Sequence, residues 1–264
     1  MTKMMKKLSV LITAVMMTTA LAACTDKAAG DRLDVVKEKG VLRMGTEPTY
    51  PPMEFTDDNG KIIGFDADLM AHIASEMGLT LEVITTEFSG ITEGLAADRF
   101  DAIAATMNIT EERKEKVLFS EPYIDAVGLS IIVKPGSDIN DFAGLTGKKI
   151  GIQQGTTSED WTGTRDDLGD VTKYPRVTDA LMDLSADRVD AVISDNVVAA
   201  YYMQEEGGNY LMLDELMEAG PVGIALPKDS PKLQAEVNKI LADMMENGKM
   251  AELSEKWFGM NIYD

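Results

Sequence analysis

The sequence is poor in the residues from which metal and thiol chemistry is built. Its 264 residues include one cysteine and one histidine. A single cysteine cannot form an internal disulfide, and one Cys with one His cannot form a zinc site or a CxxC pair. The composition therefore excludes zinc enzymes and thiol oxidoreductases, and we expect neither a metal nor a cofactor.

Positive charge is scarce as well. The chain has 25 Lys plus Arg against 45 Asp plus Glu, a formal charge of -20. So acidic a surface repels phosphate backbones and anionic lipid headgroups, which argues against nucleic-acid binding and favours a small ligand. With 45% hydrophobic residues and nine prolines, the composition predicts a globular protein of one large or two modest domains.

The first 23 residues have the pattern of an export signal. They contain three lysines and no acid, and their apolar run from Leu8 to Ala23 is short for a membrane span. The sequence Leu21-Ala22-Ala23-Cys24 resembles the lipobox of bacterial lipoproteins, which implies cleavage before Cys24 and a lipid on its sulfur. The alternative is that Cys24 merely ends an ordinary signal peptide. Residues 24–30 are small and polar, as expected of a tether.

Short apolar runs alternate with helical patterns from Val41 onward, which predicts an α/β fold with largely parallel strands. Helices are predicted after a cap at Asp66, from Ser230-Pro231 to Asn247-Gly248, and around Trp257. The predicted strands are Val41–Met44, Leu81–Thr85, Ala102–Thr106, Leu129–Val133, Lys149–Gln153, Ala191–Ser194 and Val222–Leu226.

One internal similarity organises the chain. Residues 97–103 (ADRFDAI) recur as residues 186–192 (ADRVDAV), each time where a helical pattern meets an apolar strand. The recurrence predicts two similar α/β lobes. Since ligands bind at the carboxyl ends of parallel strands, we expect a site between the lobes. The loops that would form it are residues 47–52, 106–113, 153–158 and 194–196.

Six segments together resemble the polar amino-acid-binding proteins of bacterial ABC importers. They are GTEPTYPP (45–52), GFDADL (64–69), NITEER (108–113), FSEPY (119–123), QGTT (154–157) and EKWFG (255–259). The resemblance implies a type II periplasmic-binding-protein-like fold with a two-segment hinge. Lobe I would comprise residues 31–125 and 219–264, and lobe II residues 126–218. It also implies a free amino acid as ligand, a monomer, an ABC permease and ATPase as partners, and export with a lipid anchor at the cell membrane.

The same resemblance assigns the two ends of the ligand. Arg113 would hold the α-carboxylate with its paired donors, and Asp195 would accept the α-ammonium. The alternatives are that Arg113 is one more charge on a solvated helix, and that Asp195 caps a helix. Thr106 and Asn108 alternate with Met107, so both can face the cleft. Asn108 departs from the Ser, Thr or Gly of most relatives.

Further ligand-binding positions are expected in both lobes. Thr156 and Thr157 open a helix whose free N–H groups favour a carboxylate, although they could simply cap it. Tyr50 and Phe88 match the aromatic residues that cover the ligand, or they are ordinary core. Glu47 and Gln153 match positions at the distal end of the ligand, where Glu47 favours a cationic or amide side chain. The alternative for Glu47 is a surface acid.

Two other classes of protein share this fold. A cyclohexadienyl dehydratase-like enzyme needs only one placed acid in the cleft, and a ligand sensor needs a separate receptor. Spacing alone singles out no carboxylate pair and no nucleophile with a base. We therefore predict a binding protein without enzymatic activity.

Overall fold

The computed structural model describes residues 31–205 and 208–264. The predicted signal peptide, Cys24 and the tether lie outside the described residues. Within those two ranges, no helix combines the length and the apolar character needed to cross a membrane.

The described residues contain both helices and strands, interspersed along the chain. The helices are α1 (Arg32–Lys39), α2 (Phe65–Glu76), α3 (Ile91–Ala96), α4 (Glu111–Lys116), α5 (Thr157–Gly163), α6 (Val177–Ser185), α7 (Asn196–Glu205), α8 (Pro231–Glu246) and α9 (Lys249–Phe258). The strands are β1 (Val41–Thr46), β2 (Thr49–Tyr50), β3 (Glu54–Thr56), β4 (Ile62–Ile63), β5 (Thr80–Thr85), β6 (Ala102–Ile103), β7 (Leu118–Phe119), β8 (Ile124–Val133), β9 (Ile150–Gln153), β10 (Val171–Tyr174), β11 (Ala191–Asp195), β12 (Leu211–Met212), β13 (Met217–Val222) and β14 (Ala225–Leu226). Short 3-10 turns lie at Phe88–Gly90 and Ala143–Leu145.

Two larger sheets form the two lobes. The first has the order β5-β1-β6-β14-β7, in which β5, β1 and β6 are parallel and β14 is antiparallel to both its neighbours. The second has the order β10-β9-β11-β8-β12, in which β10, β9 and β11 are parallel and β8 is antiparallel to β11. Each lobe therefore has three parallel strands, whose carboxyl ends lie at one edge. Strands β2, β3 and β4 form a small antiparallel sheet of their own.

A two-stranded ribbon runs between the sheets. Strand β13 pairs antiparallel with β8, and the register shifts between Met217 and Gly220 and again between Gly220 and Val222. At one end of the ribbon Ile124 pairs with Val222, and shortly after it the chain enters β14 of the first sheet. The ribbon is therefore a continuous backbone connection between the lobes.

The repeated heptapeptide has the same local structure in both lobes. Asp98 and Asp187 each follow a helix and adopt left-handed backbone angles, with φ of 60° and 58°. The carboxylate of Asp101 accepts a hydrogen bond from the Arg43 backbone N–H at 2.9 Å. In the second lobe Asp190 accepts one from the Lys149 N–H at 2.7 Å. In both lobes the second aspartate thus fastens the turn after a helix to the first strand of the parallel set.

The helix predictions near the carboxyl terminus are confirmed. Helix α8 begins with Pro231 and ends before Asn247. Its buried face consists of Leu233, Val237, Ile240, Leu241 and Met244, and α9 adds Met250 and Leu253 to the same core. Trp257 of α9 donates from its indole nitrogen to Asp68 of α2 at 2.8 Å, which ties the end of the chain to the first lobe.

Three predicted details are wrong. The run Ala102–Thr106 leaves the sheet after Ile103, and Thr106 has a positive φ of 49°. The run Val222–Leu226 is not one strand, because Val222 pairs with Ile124 while Ala225 pairs with Ile103 and Phe119 of the first sheet. Asp66 does not cap α2. It lies inside the helix, buried, and its carboxylate accepts the Thr106 N–H at 2.8 Å.

Candidate functional site

The loops at the carboxyl ends of the parallel strands meet around one cavity between the lobes. Both lobes contribute to its wall. Its lining consists of Glu47, Tyr50, Glu54, Phe88, Ala105, Thr106, Asn108, Arg113, Gln153, Thr156 and Asp195. Nine of these are sequence-predicted positions. Thr157 is the predicted residue that does not line the cavity, and Glu54 and Ala105 were missed.

Arg113 is the cation in this wall. Its helix, α4, is capped by Thr110, whose hydroxyl accepts the Arg113 backbone N–H at 3.2 Å. The guanidinium donates from Nη1 to the Asn108 carbonyl and from Nη2 to the Gly155 carbonyl, each at 3.0 Å. Its carbon lies 5.5 Å from the centre of the Phe88 ring, a cation–π distance. The Arg113 side chain is therefore not one more charge on a solvated helix, because it lies between the two lobes and bonds to both.

Asp195 ends β11 and is 6% exposed. The Tyr50 hydroxyl donates to its Oδ2 at 2.9 Å and lies 3.2 Å from the Ser194 Oγ. Burial raises the pKa of Asp195 to about 6, against the opposing effects of the Tyr50 bond and the Arg113 charge. A ligand ammonium at this carboxylate would favour its ionised form.

The Tyr50 side chain makes both core contacts and polar contacts. Its ring belongs to a hydrophobic cluster of the second lobe that includes Val177, Ala180 and Leu181. Its backbone, however, lies in β2 of the small sheet, and its hydroxyl donates to Asp195 in the cavity wall. The side chain therefore serves both the packing and the polar surface of the site.

Glu47 is not a surface acid, because only 4% of it is exposed. The Thr49 hydroxyl lies 2.8 Å from each of its carboxylate oxygens. Gln153 of the other lobe donates from Nε2 to Glu47 at 3.3 Å and to the Pro175 carbonyl at 3.2 Å. Burial raises the pKa of Glu47, opposed by the bonds from Thr49 and Gln153. Glu47 and Gln153 therefore form a buried polar pair that joins the two lobes in the cavity wall.

The remaining predicted threonines have local partners. Thr156 precedes α5, and its hydroxyl donates back to the Gln153 carbonyl at 2.7 Å. The Thr157 hydroxyl lies 3.5 Å from the Asn108 Oδ1, so these side chains meet across the two lobes. Asn108 is buried beside the cavity, and its backbone bridges to Val222.

Glu54 is a wall residue that the sequence reasoning missed. It is 1% exposed, and its Oε2 accepts from the Thr106 hydroxyl at 3.2 Å. Its carboxyl group also contacts that of Asp66. Burial and the neighbouring acids Asp66 and Glu47 raise the pKa of Glu54 well above its ordinary value. The signal in the sequence was an acid between the apolar residues Met53 and Phe55.

The arrangement defines a class of protein. Two α/β lobes joined by a ribbon, with one polar cavity between them that offers a cation and several acids, form a bilobal solute-binding protein. The profile of the bacterial extracellular solute-binding proteins, family 3, matches residues 42–260, and the chain belongs to this family. The predicted class, an extracellular solute-binding protein on a type II fold, is confirmed.

Individual relatives agree with this assignment. The chain is 32% identical over 252 residues to the L-cystine-binding protein TcyJ of Escherichia coli K12, with 94% of each chain covered. It is 41% identical to a solved ancestral arginine-binding protein bound to arginine, with a TM-score of 0.79 over 83% of this chain and 98% of that one. It is also 35% identical to the ancestral amino acid-binding protein AncCDT-1, a precursor of cyclohexadienyl dehydratase, with a TM-score of 0.81 over 86% of this chain and 99% of that one.

Proposed function

We propose that the protein binds an amino acid with a cationic or amide side chain and delivers it to an ABC permease and its ATPase. The observation that carries the proposal is that Arg113, Asp195 and Glu47 line one cavity. A closed site needs a cation for the α-carboxylate, an anion for the α-ammonium and a partner for the side chain. The similarity to cystine-binding and arginine-binding proteins supports an amino acid as the ligand.

The ten residues predicted from the sequence have the following roles in this proposal. Arg113 holds the α-carboxylate with its paired N–H donors, and Asp195 accepts the α-ammonium. Tyr50 and Phe88 cover the ligand from the first lobe. Glu47 and Gln153 meet the end of its side chain. The polar side chains that supply further hydrogen bonds are Thr106, Asn108, Thr156 and Thr157.

Binding closes a hinge in the proposed mechanism. Lobe I comprises residues 31–125 and 219–264, and lobe II residues 126–218, so both boundaries fall within the ribbon of β8 and β13. Hydrogen bonds that cross between these lobes include those from Tyr50 to Asp195, from Arg113 to the Gly155 carbonyl, and from Gln153 to Glu47. A ligand that satisfies both lobes at once stabilises the closed form, which the permease then recognises.

The proposal includes the amino terminus. Residues 1–23 direct export and are removed, Cys24 carries the lipid, and residues 24–30 hold a monomeric binding domain off the membrane. Mass spectrometry of the mature protein tests this. A lipid-modified Cys24 at the amino terminus supports the anchor, and an unmodified amino terminus at another residue contradicts it.

The protein acts without catalysis in this proposal. The similarity to a precursor of cyclohexadienyl dehydratase makes the dehydratase the enzyme to exclude. An assay with prephenate and with arogenate does so, since turnover of either compound would contradict a pure binding role.

Titration of the refolded protein against the twenty amino acids by calorimetry tests the ligand class. Tight binding of arginine, lysine, histidine or glutamine supports the proposal, and tight binding of glutamate or aspartate alone contradicts it. Arg113→Ala and Asp195→Ala should each abolish the ligand-induced rise in melting temperature, since truncating one partner of a buried charge pair costs about 2–5 kcal/mol of binding free energy.

Matched controls are available on the surface. Arg165 and Asp138 form exposed ion pairs with Asp167 and Lys148. Arg165→Ala and Asp138→Ala should keep the ligand-induced rise. If Arg113→Ala and Asp195→Ala melt with the same rise as these controls, the site assignment is wrong.

A further inference from the structure

The buried pair of Glu54 and Asp66 has an unusual hydrogen-bond balance. Oδ2 of Asp66 accepts two bonds, from the Thr106 N–H at 2.8 Å and from the Tyr123 hydroxyl at 2.9 Å. Its other oxygen, Oδ1, is buried and has no N–H or hydroxyl partner among the described residues. Buried polar atoms in native proteins nearly always have such a partner, so Oδ1 needs a donor.

A proton on Glu54 would give the pair a donor of its own. The carboxyl groups of Glu54 and Asp66 lie in hydrogen-bonding contact. Two carboxylates have no hydrogen to share, whereas a protonated carboxyl group donates through its O–H. With the proton on Glu54, the pair has a hydrogen to share and carries one negative charge instead of two.

The surroundings of Glu54 favour this neutral form. The titratable groups that face it are Asp66 from α2, Glu47 from the loop after β1, and Tyr123 ahead of β8, and none brings a positive charge. The Arg113 guanidinium in the same wall is bonded to the carbonyls of Asn108 and Gly155. Asp195 is bonded to Tyr50. Burial beside these acids raises the pKa of Glu54 well above its ordinary value.

The number of acidic side chains in the cavity wall therefore suits ligands of different charge to different degrees. In the proposed function Arg113 and Asp195 are matched by the α-carboxylate and α-ammonium of any amino acid. Glu47 and Glu54 are then left for the side chain of the ligand. A neutral side chain can leave Glu54 protonated, whereas a cationic side chain gains from a carboxylate within the closed, poorly solvated site.

We propose that Glu54 is a specificity-determining residue, which stays protonated with a neutral ligand and releases its proton to solvent when a cationic side chain enters the cavity. The O–H bond of the carboxyl group breaks, the proton passes to water and buffer, and the ligand cation pairs with the carboxylate that remains. The N–H groups of the ligand side chain then donate to the Glu54 carboxylate, which lines the cavity. The inference rests on the proposed function, since it assumes an amino acid in this cavity.

Linkage gives the sign of the pH effect. A cationic ligand lowers the pKa of Glu54, so binding releases protons between the pKa of the complex and that of the free protein. Affinity for that ligand then rises with pH across this window, by up to about tenfold per pH unit for one proton. Asp195 also titrates near the cavity, but it faces the α-ammonium that all amino acids share. The difference between two ligands that differ only in side-chain charge removes its effect.

Arginine and citrulline form such a pair, because they have nearly the same shape and only arginine is cationic. Calorimetric titrations of the whole protein at pH 6, 7 and 8, in phosphate and in Tris, give the number of protons released. We expect arginine to release up to one proton more than citrulline, and the arginine-to-citrulline affinity ratio to rise by at least threefold from pH 6 to pH 8. Equal proton release for the two ligands at all three pH values would overturn the inference.

Two variants locate the source of the proton. Glu54→Gln keeps the size of the side chain and a donor for Asp66, and it should abolish the extra proton and lower the arginine-to-citrulline ratio at pH 8 by at least tenfold. Glu47→Gln should also weaken arginine binding, but it should keep the extra proton. Release that persists in Glu54→Gln, or that disappears in Glu47→Gln alone, would overturn the assignment to Glu54. If Glu54→Gln does not fold, Glu47→Gln still decides, because an extra proton that persists in it supports the assignment to Glu54 and one that disappears overturns it.

The two failures can be told apart. If neither arginine, citrulline nor any of the twenty amino acids binds, the proposed function is wrong. If citrulline binds and arginine does not bind more tightly at pH 8 than at pH 6, the amino-acid site stands and the role of Glu54 is wrong.

Discussion

Gly155 offers a test of how closely the two lobes must meet. It lies in the loop before α5 with a φ of +81°, and a Cβ added there would lie 2.8 Å from the Cα of Ser89. Ordinary carbon contacts are about 3.5–4.0 Å, so Gly155→Ala must move backbone on one side by about 0.7 Å or more. Ser89 is in the first lobe and the loop of Gly155 is in the second. The clash therefore arises only when the lobes are together, and it destabilises the closed form.

The size of the effect follows from the Arg113 bond. Its Nη2 donates to the Gly155 carbonyl at 3.0 Å. A displacement of about 0.7 Å takes that distance beyond hydrogen-bond range, and bonds to charged groups contribute about 1.5–3 kcal/mol. We therefore expect Gly155→Ala to raise the Kd for the best-binding amino acid by about 10- to 150-fold, as measured by calorimetry.

A second glycine separates this effect from backbone strain. Gly147 also lies in the second lobe with a positive φ, of +72°, but a Cβ there meets nothing within 4 Å. Both alanine variants should lose roughly 1–2 kcal/mol of folding stability from the left-handed backbone. Gly147→Ala should nevertheless bind ligand with wild-type affinity. If Gly155→Ala binds within twofold of Gly147→Ala, the contact between Gly155 and Ser89 plays no part in closure and the reasoning is wrong.

Two further predictions concern other parts of the molecule. Asp101 accepts hydrogen bonds from the backbone N–H, Nε and Nη2 of Arg43, whereas Asp190 accepts one from the Lys149 backbone N–H. Asp101→Ala should therefore lower the free energy of unfolding by about 3 kcal/mol, and Asp190→Ala should lower it by about 1 kcal/mol. Urea titrations measure both losses. Equal losses would contradict the added role of the Arg43 side chain. The raised pKa of Asp195, about 6 against 3.8, means that its charge opposes folding as pH rises through that window. Asp195→Asn should therefore stabilise the ligand-free protein at pH 7 by up to about 3 kcal/mol and by nothing below pH 4. A variant that is less stable than wild type at pH 7 would contradict the cost of this buried charge.

The sequence predicts the frame of the site well, for a physical reason. Strands followed by short polar loops fix where Glu47, Arg113 and Asp195 leave the backbone, and parallel strands place those loops at one edge. The repeated heptapeptide predicts two such edges, and its two aspartates make the same backbone bond in each lobe.

Glu54 was missed because its meaning depends on contacts between distant residues. Its strand belongs to the small sheet, and its carboxyl partner Asp66 follows twelve positions later in what looks like a helix cap. The buried position of Asp66 is set by Thr106, whose backbone turns out of the sheet with a positive φ. Local patterns carry no information on such an encounter. The local pattern also fails for the run from Val222 to Leu226. This run is apolar throughout, although Val222 pairs in the second sheet and Ala225 in the first.

The ribbon of β8 and β13 bears on how freely the two halves can move. Two strands that stay paired along their length resist shearing and twisting more than single connecting segments would. The two register shifts around Gly220 interrupt that pairing at defined points. We expect bending to concentrate there, so that the halves swing along one path and return the same loops to the same partners each time. A binding protein built in this way can be highly mobile and still present one reproducible surface to its transporter.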